Sequence, residues 1–243
     1  MIEKTLIKRR FLRALPSYEK KAFVQKEMAY VLIEALSFKN FYSSVLEIGA
    51  GTGLFTRFFI NEYDFDFYIA TDILDSCAFF FHKLPVYFLV ADGEALPFKG
   101  EIFSLIVSNA TFQWFLNLKK TFLTLKKLLI PGGILAFTSL GPETMKEIRQ
   151  TNNLPGLLSF DEILALRPPG FEILKAYSFK RVLYFKTPLE ALAYIRETGS
   201  MGSIRSRWSL REFKLWSRKY ETLRNKKGLP LTFEPILMIW RKK

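Results

Sequence analysis

Three glycines at alternate positions, Gly49, Gly51 and Gly53, follow the apolar run Val45-Leu46-Glu47-Ile48 and lead into a helical pattern from Leu54 to Ile60. Glycine there lets the chain turn sharply and lets a ligand lie against main-chain amides where a Cβ would collide. The spacing, Glu47-Ile48-Gly49-Ala50-Gly51-Thr52-Gly53, is GxGxG behind a glutamate. A dinucleotide fingerprint would place its last glycine one residue later. Polar side chains then recur at intervals that suit a nucleoside. Asp72, followed by Ile73, lies 19 residues past Gly53, and its carboxylate can accept two hydrogen bonds from vicinal ribose hydroxyls. Asp92, with the backbone of Gly93 and Glu94 beside it, can receive an exocyclic amine. Ser108-Asn109 leads into Ala110-Thr111-Phe112-Gln113-Trp114. One such acid alone reads as a turn residue or helix cap; a series of them behind a glycine loop reads as a site.

Those residues fall at the ends of strand patterns. Ser44–Ile48, Asp66–Thr71, Val86–Val90, Phe103–Ser108 and Gly133–Thr138 read as strands, with helices expected at about Gly53–Glu62, Asp75–Leu84 and Leu118–Leu129. This alternation marks a parallel sheet with crossover helices, and ligands of such sheets bind beyond the carboxyl ends of the strands. Pro131-Gly132-Gly133 stops the third helix. Past Thr138 the pattern changes: a helix is expected from Pro142 to Gln150, strands around Glu172–Phe185, helices around Pro188–Thr198 and Leu210–Arg224, and a closing strand Leu231–Arg241. Residues 1–36 read as amphipathic helix. The chain of 243 residues, 49% apolar with 25 Phe, reads as one α/β domain: a helical cap (1–36), a ligand-binding core (43–140) and acceptor-side helices and last strands (141–243).

Several chemistries are excluded. His82, the only histidine, has no Cys or second His for metal or triad chemistry. Cys77, the only cysteine, sits in an apolar stretch and reads as core. It permits no internal disulfide and fits a reducing cytoplasm, as does the absence of a signal-peptide pattern. No uninterrupted apolar run reaches membrane-spanning length.

The glutamate-led GxGxG turn resembles motif I of the class I S-adenosylmethionine (SAM) methyltransferases. Other stretches are similar to a narrower group, the BioC-type malonyl-[acyl-carrier-protein] O-methyltransferases. They are Phe11-Leu12-Arg13-Ala14 with Tyr18-Glu19 and Ala22, Ser108-Asn109 with Gln113-Trp114, Pro131-Gly132-Gly133 through Pro142, and Leu229-Pro230-Leu231-Thr232. The resemblance runs from about Phe11 to Arg241. It departs at Ala50, where the family often has cysteine, and at Thr111-Phe112, where it often has aliphatic residues. It implies a Rossmann-like, mostly parallel seven-stranded sheet with helices on both faces, the N-terminal helix and a late helical insert covering the acceptor. It implies SAM as cosubstrate, held by Glu47, Gly49, Ala50, Gly51, Gly53, Asp72, Ile73, Asp92, Gly93, Glu94 and Asn109, without a metal. It implies methylation of the free carboxylate of a malonyl thioester on acyl carrier protein, toward the pimeloyl moiety of biotin. Two alternatives stay open: another acceptor, such as a quinone precursor or RNA, and an accessory protein of the same fold without methyl transfer.

The net charge of +13 resides entirely in residues 1–26 and 205–227. An acidic protein partner, which acyl carrier protein is, accounts for such a distribution. A merely solvated surface and a nucleic-acid track alongside Trp208 and Trp216 are the rival readings; no RNA-binding module is appended, so nucleic acid is disfavoured.

A carboxylate acceptor, with an ordinary pKa of roughly 4, is ionised before it reacts, so no general base is assigned. Tyr18, Asn109, Gln113 and Trp114 are the expected positioning residues. Arg149 is a further candidate to reach the acceptor from its expected helix.

Overall fold

The computed structural model describes residues 4–149, 156–199 and 209–243. Strands β1 (Ser44–Ile48), β2 (Phe67–Asp72), β3 (Tyr87–Val90), β4 (Phe103–Ser108) and β5 (Leu129–Leu140) form the parallel part of a sheet. Two later strands, β6 (Phe171–Ser178) and β9 (Pro235–Lys242), complete it in the order β3-β2-β1-β4-β5-β9-β6. Only β9 is reversed, since it pairs antiparallel with both β5 and β6. The chain winds outward from β1 to β3 and then returns to start again at β4, so β1 and β4 flank the topological switch point.

Buried side chains alternate across this sheet. Val45, Leu105, Val107 and Ile134 point to one face, under α2 (Phe23–Ala35) and α3 (Leu54–Glu62). Leu46, Ile106 and Leu135 point to the other, under α4 (Leu118–Leu128) and α5 (Phe160–Ala165). Both faces are covered, as the near-continuous apolar runs of parallel strands require. A third cluster, around Met28, Leu140, Tyr194, Tyr220 and Leu231, holds α6 (Pro188–Glu197) and α7 (Leu210–Glu221). It also holds the separate hairpin of β7 (Arg181–Phe185) and β8 (Leu229–Phe233).

Four expectations are corrected. The N-terminal helix is two, α1 (Lys4–Lys21) and α2, broken at Ala22, whose ψ of 51° leaves the helical region. Residues Asp75–Phe81 form 3-10 turns and no α-helix; the run Phe79-Phe80-Phe81 supplies no apolar stripe of helical period, and Phe79 stays 72% exposed. The expected helix from Pro142 is absent over its described residues, up to Arg149; Gln150 lies outside them. Its polar groups are committed to the strand ends instead: Met145 N–H donates to Thr232 O, Thr144 Oγ1 accepts from Glu234 N, and Glu147 receives the amide and hydroxyl of Thr232. Met145 takes φ +56°, which a helix cannot contain. Finally, the expected closing strand divides between the two sheets into β8 and β9, whereas the strands expected around Glu172–Phe185 are present as β6 and β7, one in each sheet.

Candidate active site

The loops after β1, β2, β3 and β4 converge on one cleft. Its far wall is α1, which presents Lys4, Ile7, Lys8, Phe11, Leu15 and Tyr18. These recur at three- and four-residue intervals, the spacing of a single helix face.

Gly49 and Gly51 have different reasons to be glycine. At Gly49, φ is +74° and an added Cβ would lie 2.2 Å from Thr111 Oγ1. The loops after β1 and β4 thus touch through the absence of a side chain, and Thr111 is the residue they close upon. At Gly51, φ is +55° and an added Cβ would meet nothing within 4 Å. That open space belongs to the cleft. The Gly51 amide donates to Asp72 Oδ2 at 2.9 Å, and Leu74 N–H donates to Asp72 Oδ1 at 2.9 Å. Burial raises the Asp72 pKa, and the amides of Leu74 and Gly51 oppose the shift.

Asp92 and Glu94 share one cation. Lys4 Nζ lies 2.6 Å from Asp92 Oδ2 and 2.7 Å from Glu94 Oε2. Burial works against ionisation of both acids, but the contacts to Lys4 and to nearby amides outweigh it, leaving both below the ordinary carboxylate range. Glu94 also accepts from the amides of Leu116 and Asn117, so its side chain caps the segment before α4.

Tyr18, Asn109 and Trp114 meet at the cleft with Asp72, Ile73, Asp92, Gly93, Gly49 and Gly51. Burial, then the proximity of Tyr194 and Asp72, pushes the Tyr18 hydroxyl far above its usual range, so it remains a protonated donor. Trp114 packs edge-to-face on Phe11 at 5.6 Å, and its buried Nε1–H has no hydrogen-bond partner among the described residues. Asn109 is a joint of the scaffold: Nδ2 donates to Gln25 O at 3.1 Å, and Oδ1 accepts from Thr138 Oγ1 at 2.7 Å.

Geometry of this kind suits a nucleoside cosubstrate: an open backbone cradle, a buried carboxylate at the end of β2, and an apolar slot. Residues 46–137 match the methyltransferase domain family. Over 240 residues the chain is 33% identical to the malonyl-[acyl-carrier protein] O-methyltransferase of Calditerrivibrio nitroreducens, covering 97% of this chain and 96% of that one. The chain belongs to the malonyl-[acyl-carrier protein] O-methyltransferase family. The member from Haemophilus influenzae is 28% identical, over 99% of this chain and 95% of its own. The fold is shared more widely. The N-methyltransferase NodS of Bradyrhizobium japonicum, solved with S-adenosyl-L-homocysteine, superposes with a TM-score of 0.55 at 12% identity, over 95% of this chain and 98% of its own. The [4+2]-cyclase SpnF does so with 0.57 at 15% identity, over 89% and 80%. Fold alone therefore does not select the chemistry.

Four expected contact residues of this methyltransferase stand behind the cleft lining. Glu47 is buried beneath the glycine loop, where its Oε2 accepts from Thr56 Oγ1 at 2.5 Å and Tyr68 OH at 2.6 Å. Burial raises its pKa to about 7 against those two hydrogen bonds. Ala50 is buried, Gly53 is the N-cap of α3, and Glu94 holds Lys4 and its amides. Gln113 is likewise behind the wall: Nε2 donates to Ala110 O at 2.6 Å, fixing a turn in which Ala110 takes φ +52°. Arg149 donates to Pro142 O within its own turn segment.

Of the inner face of α1 the sequence reading names only Tyr18; it omits Lys4, Ile7, Lys8, Phe11 and Leu15 as lining, and the contribution of Leu74, Cys77 and Phe115. The helical spacing from Lys4 to Tyr18 was the available signal for the first. Cys77 is both core and wall: buried, it stands beside the Asp72 carboxylate. Among the described residues there is no group of three potential metal ligands, and no helix is long and apolar enough to cross a membrane.

Proposed function

We propose that this methyltransferase transfers the methyl group of SAM to the free carboxylate of a malonyl thioester carried on acyl carrier protein, in the cytoplasm. The full-length relation to proteins named for that activity carries the reading. The resulting methyl ester hides a charge, so that chain-elongating enzymes accept the acyl group on the way to the pimeloyl part of biotin.

In this reading Gly49 and Gly51 receive the cosubstrate against their backbone, Asp72 takes the ribose hydroxyls, and Asp92 with the Gly93 backbone takes the adenine amine. When bound, SAM supplies an electrophilic methyl group on a positively charged sulfur. A carboxylate oxygen of the acceptor forms the new O–C bond in line with the departing sulfur, which keeps the electron pair of the broken S–C bond. The acceptor is ionised at neutral pH, so the chain's residues align the reactants and exclude water.

Opposite charges disappear in this step. A cation clamped on the attacking oxygen would therefore stabilise the reactants more than the transition state. Neutral donors suit the task better, and the candidates are the Tyr18 hydroxyl and the N–H of Trp114, both residues of the cleft wall, the latter without a hydrogen-bond partner among the described residues. Apolar groups of Ile7, Phe11, Leu15 and Phe115 supply the dry surroundings.

The test is transfer of radiolabelled methyl from SAM, with malonyl-acyl carrier protein, succinyl-acyl carrier protein and total RNA offered in parallel. Base-labile label on the malonyl carrier alone is the expected result. Label on RNA would overturn the acceptor assignment, and SAM binding without any transfer would indicate an accessory protein.

A further inference from the structure

Helix α7 has two unlike sides. Inward, Trp216 stacks on Tyr220 at 5.1 Å and 22°, Phe213 lies against Trp216 at 5.9 Å, and the buried Tyr220 donates its hydroxyl to Pro230 O at 2.8 Å. A capping box of Ser209 and Glu212 fixes the first turn. Outward, Arg211, Lys214, Arg218 and Lys219 are exposed, together with Leu210 at 82% and Leu215 at 59%. None of those four cations is ion-paired among the described residues. The acids of the helix are engaged elsewhere, Glu212 in the capping box and Glu221 with Arg224 at 2.8 Å. The packing that anchors the helix does not involve its cationic face.

We propose that this outer face of α7 is the docking surface for the acyl carrier protein that delivers the acceptor, through an acidic surface of that partner. The proposal rests on the acceptor being carrier-borne. Four cations, unpaired among the described residues, along a helix of 12 residues, about 18 Å long, present one sign of charge, which steers an oppositely charged partner and sets its orientation. Leu210 and Leu215 add apolar contact among the charges, as protein interfaces do. A nucleic acid fits less well, because single-stranded bases need exposed aromatic faces to stack upon, and Phe213, Trp216 and Tyr220 pack against one another. The position also suits delivery: α7 packs on α6, and α6 packs on α1, the far wall of the cleft. Ser17 Oγ of α1 donates to Glu197 O of α6 at 3.1 Å, tying these two helices together.

The test compares the triple variant Arg211→Glu/Lys214→Glu/Arg218→Glu with wild type on two substrates, malonyl-acyl carrier protein and malonyl-pantetheine. A control, Lys119→Glu/Lys120→Glu/Lys127→Glu, makes the same charge change on α4, which packs in a different cluster. The expected result is a KM for the carrier raised about tenfold or more, with kcat and all malonyl-pantetheine kinetics unchanged, and little effect in the control. The salt dependence of carrier turnover should flatten in the α7 variant only. Equal losses in the control, losses on both substrates, or no loss would each overturn the proposal. So would reduced retention of total RNA by the α7 variant with carrier KM unchanged. If wild type methylates malonyl-pantetheine and not the carrier, the acceptor reading itself falls, a result separate from a carrier KM that ignores α7.

Discussion

Lys4 Nζ lies 2.6 Å from Asp92 Oδ2, across 88 positions of sequence, and 2.7 Å from Glu94 Oε2. The first turn of α1 is thereby latched to the end of β3, on the carboxylate proposed for the adenine amine. Lys4 and the cosubstrate then compete for Asp92. Both partners of the pair are partly exposed, 27% and 33%, so the latch is worth no more than about 1 kcal/mol. Lys4→Ala should therefore tighten SAM binding up to about fivefold by calorimetry, with the gain shrinking at high salt. Weaker binding would show instead that Lys4 helps to close the cleft over the ligand.

Under the proposed function, Asp72 serves binding and Tyr18 serves turnover. Asp72 spends its two oxygens on the Gly51 and Leu74 amides, so Asp72→Ala removes both the proposed ribose acceptor and the brace of the glycine loop. SAM affinity should drop about 10- to 100-fold, in line with the worth of hydrogen bonds to a charged group. Tyr18→Phe keeps the ring against the cleft and removes only a donor. It should lower kcat and leave SAM affinity within about twofold. Equal loss of SAM binding in both variants would refute the division.

The parallel core was legible because its signals are local: alternating apolar strands, a glycine turn, and a polar residue at each strand end. That rule picks out Asp72, Asp92 and Asn109, which the structure brings together in the lining of one cleft. The segment from Pro142 was misread because its hydrogen bonds go to Thr232 and Glu234, some 90 residues away, and no local pattern reports such partners. Glu47 is expected as a ligand contact from the resemblance of the glutamate-led GxGxG turn to methyltransferase motif I, and the structure places it behind the cleft lining. A strand sends alternate side chains to opposite faces, and this one goes to Thr56 and Tyr68. Lys4 pairs with Asp92 only because α1 folds back over the strand ends, which the charge of the segment did not disclose.

Gly49 and Gly51 should fail differently when changed to alanine. Gly49→Ala combines a left-handed φ with a Cβ driven onto Thr111, and its cost should be about 3 kcal/mol, from backbone strain and overpacking together. Adding Thr111→Ser removes the Cγ2 methyl, and Thr111→Gly removes the clash outright; melting temperature should recover in that order but stop short of wild type, since the strain remains. Gly51→Ala meets no neighbour, so stability should fall by only about 1 kcal/mol, while SAM binding is lost to a methyl group in the cleft. A Gly51→Ala variant with wild-type affinity would place the ligand elsewhere.

The pH dependence of stability has a definite sign at Glu47. Its pKa rises from 4.5 to about 7 in the fold, chiefly by burial. Between those values the folded state binds a proton that the unfolded chain has released, so stability is greatest below about 4.5, declines as pH rises toward 7, and levels off above. The full loss is roughly 3 kcal/mol, from 1.36 kcal/mol per pKa unit. Asp72, also raised by burial, contributes in the same direction. Glu47→Gln cannot ionise, and its carbonyl oxygen can still accept from Thr56 and Tyr68. Thermal unfolding from pH 5 to 8 should therefore show a flatter profile for the variant, with its advantage over wild type growing as pH rises. Parallel profiles would mean that Glu47 keeps its ordinary ionisation in the fold, with Thr56 and Tyr68 compensating fully for burial.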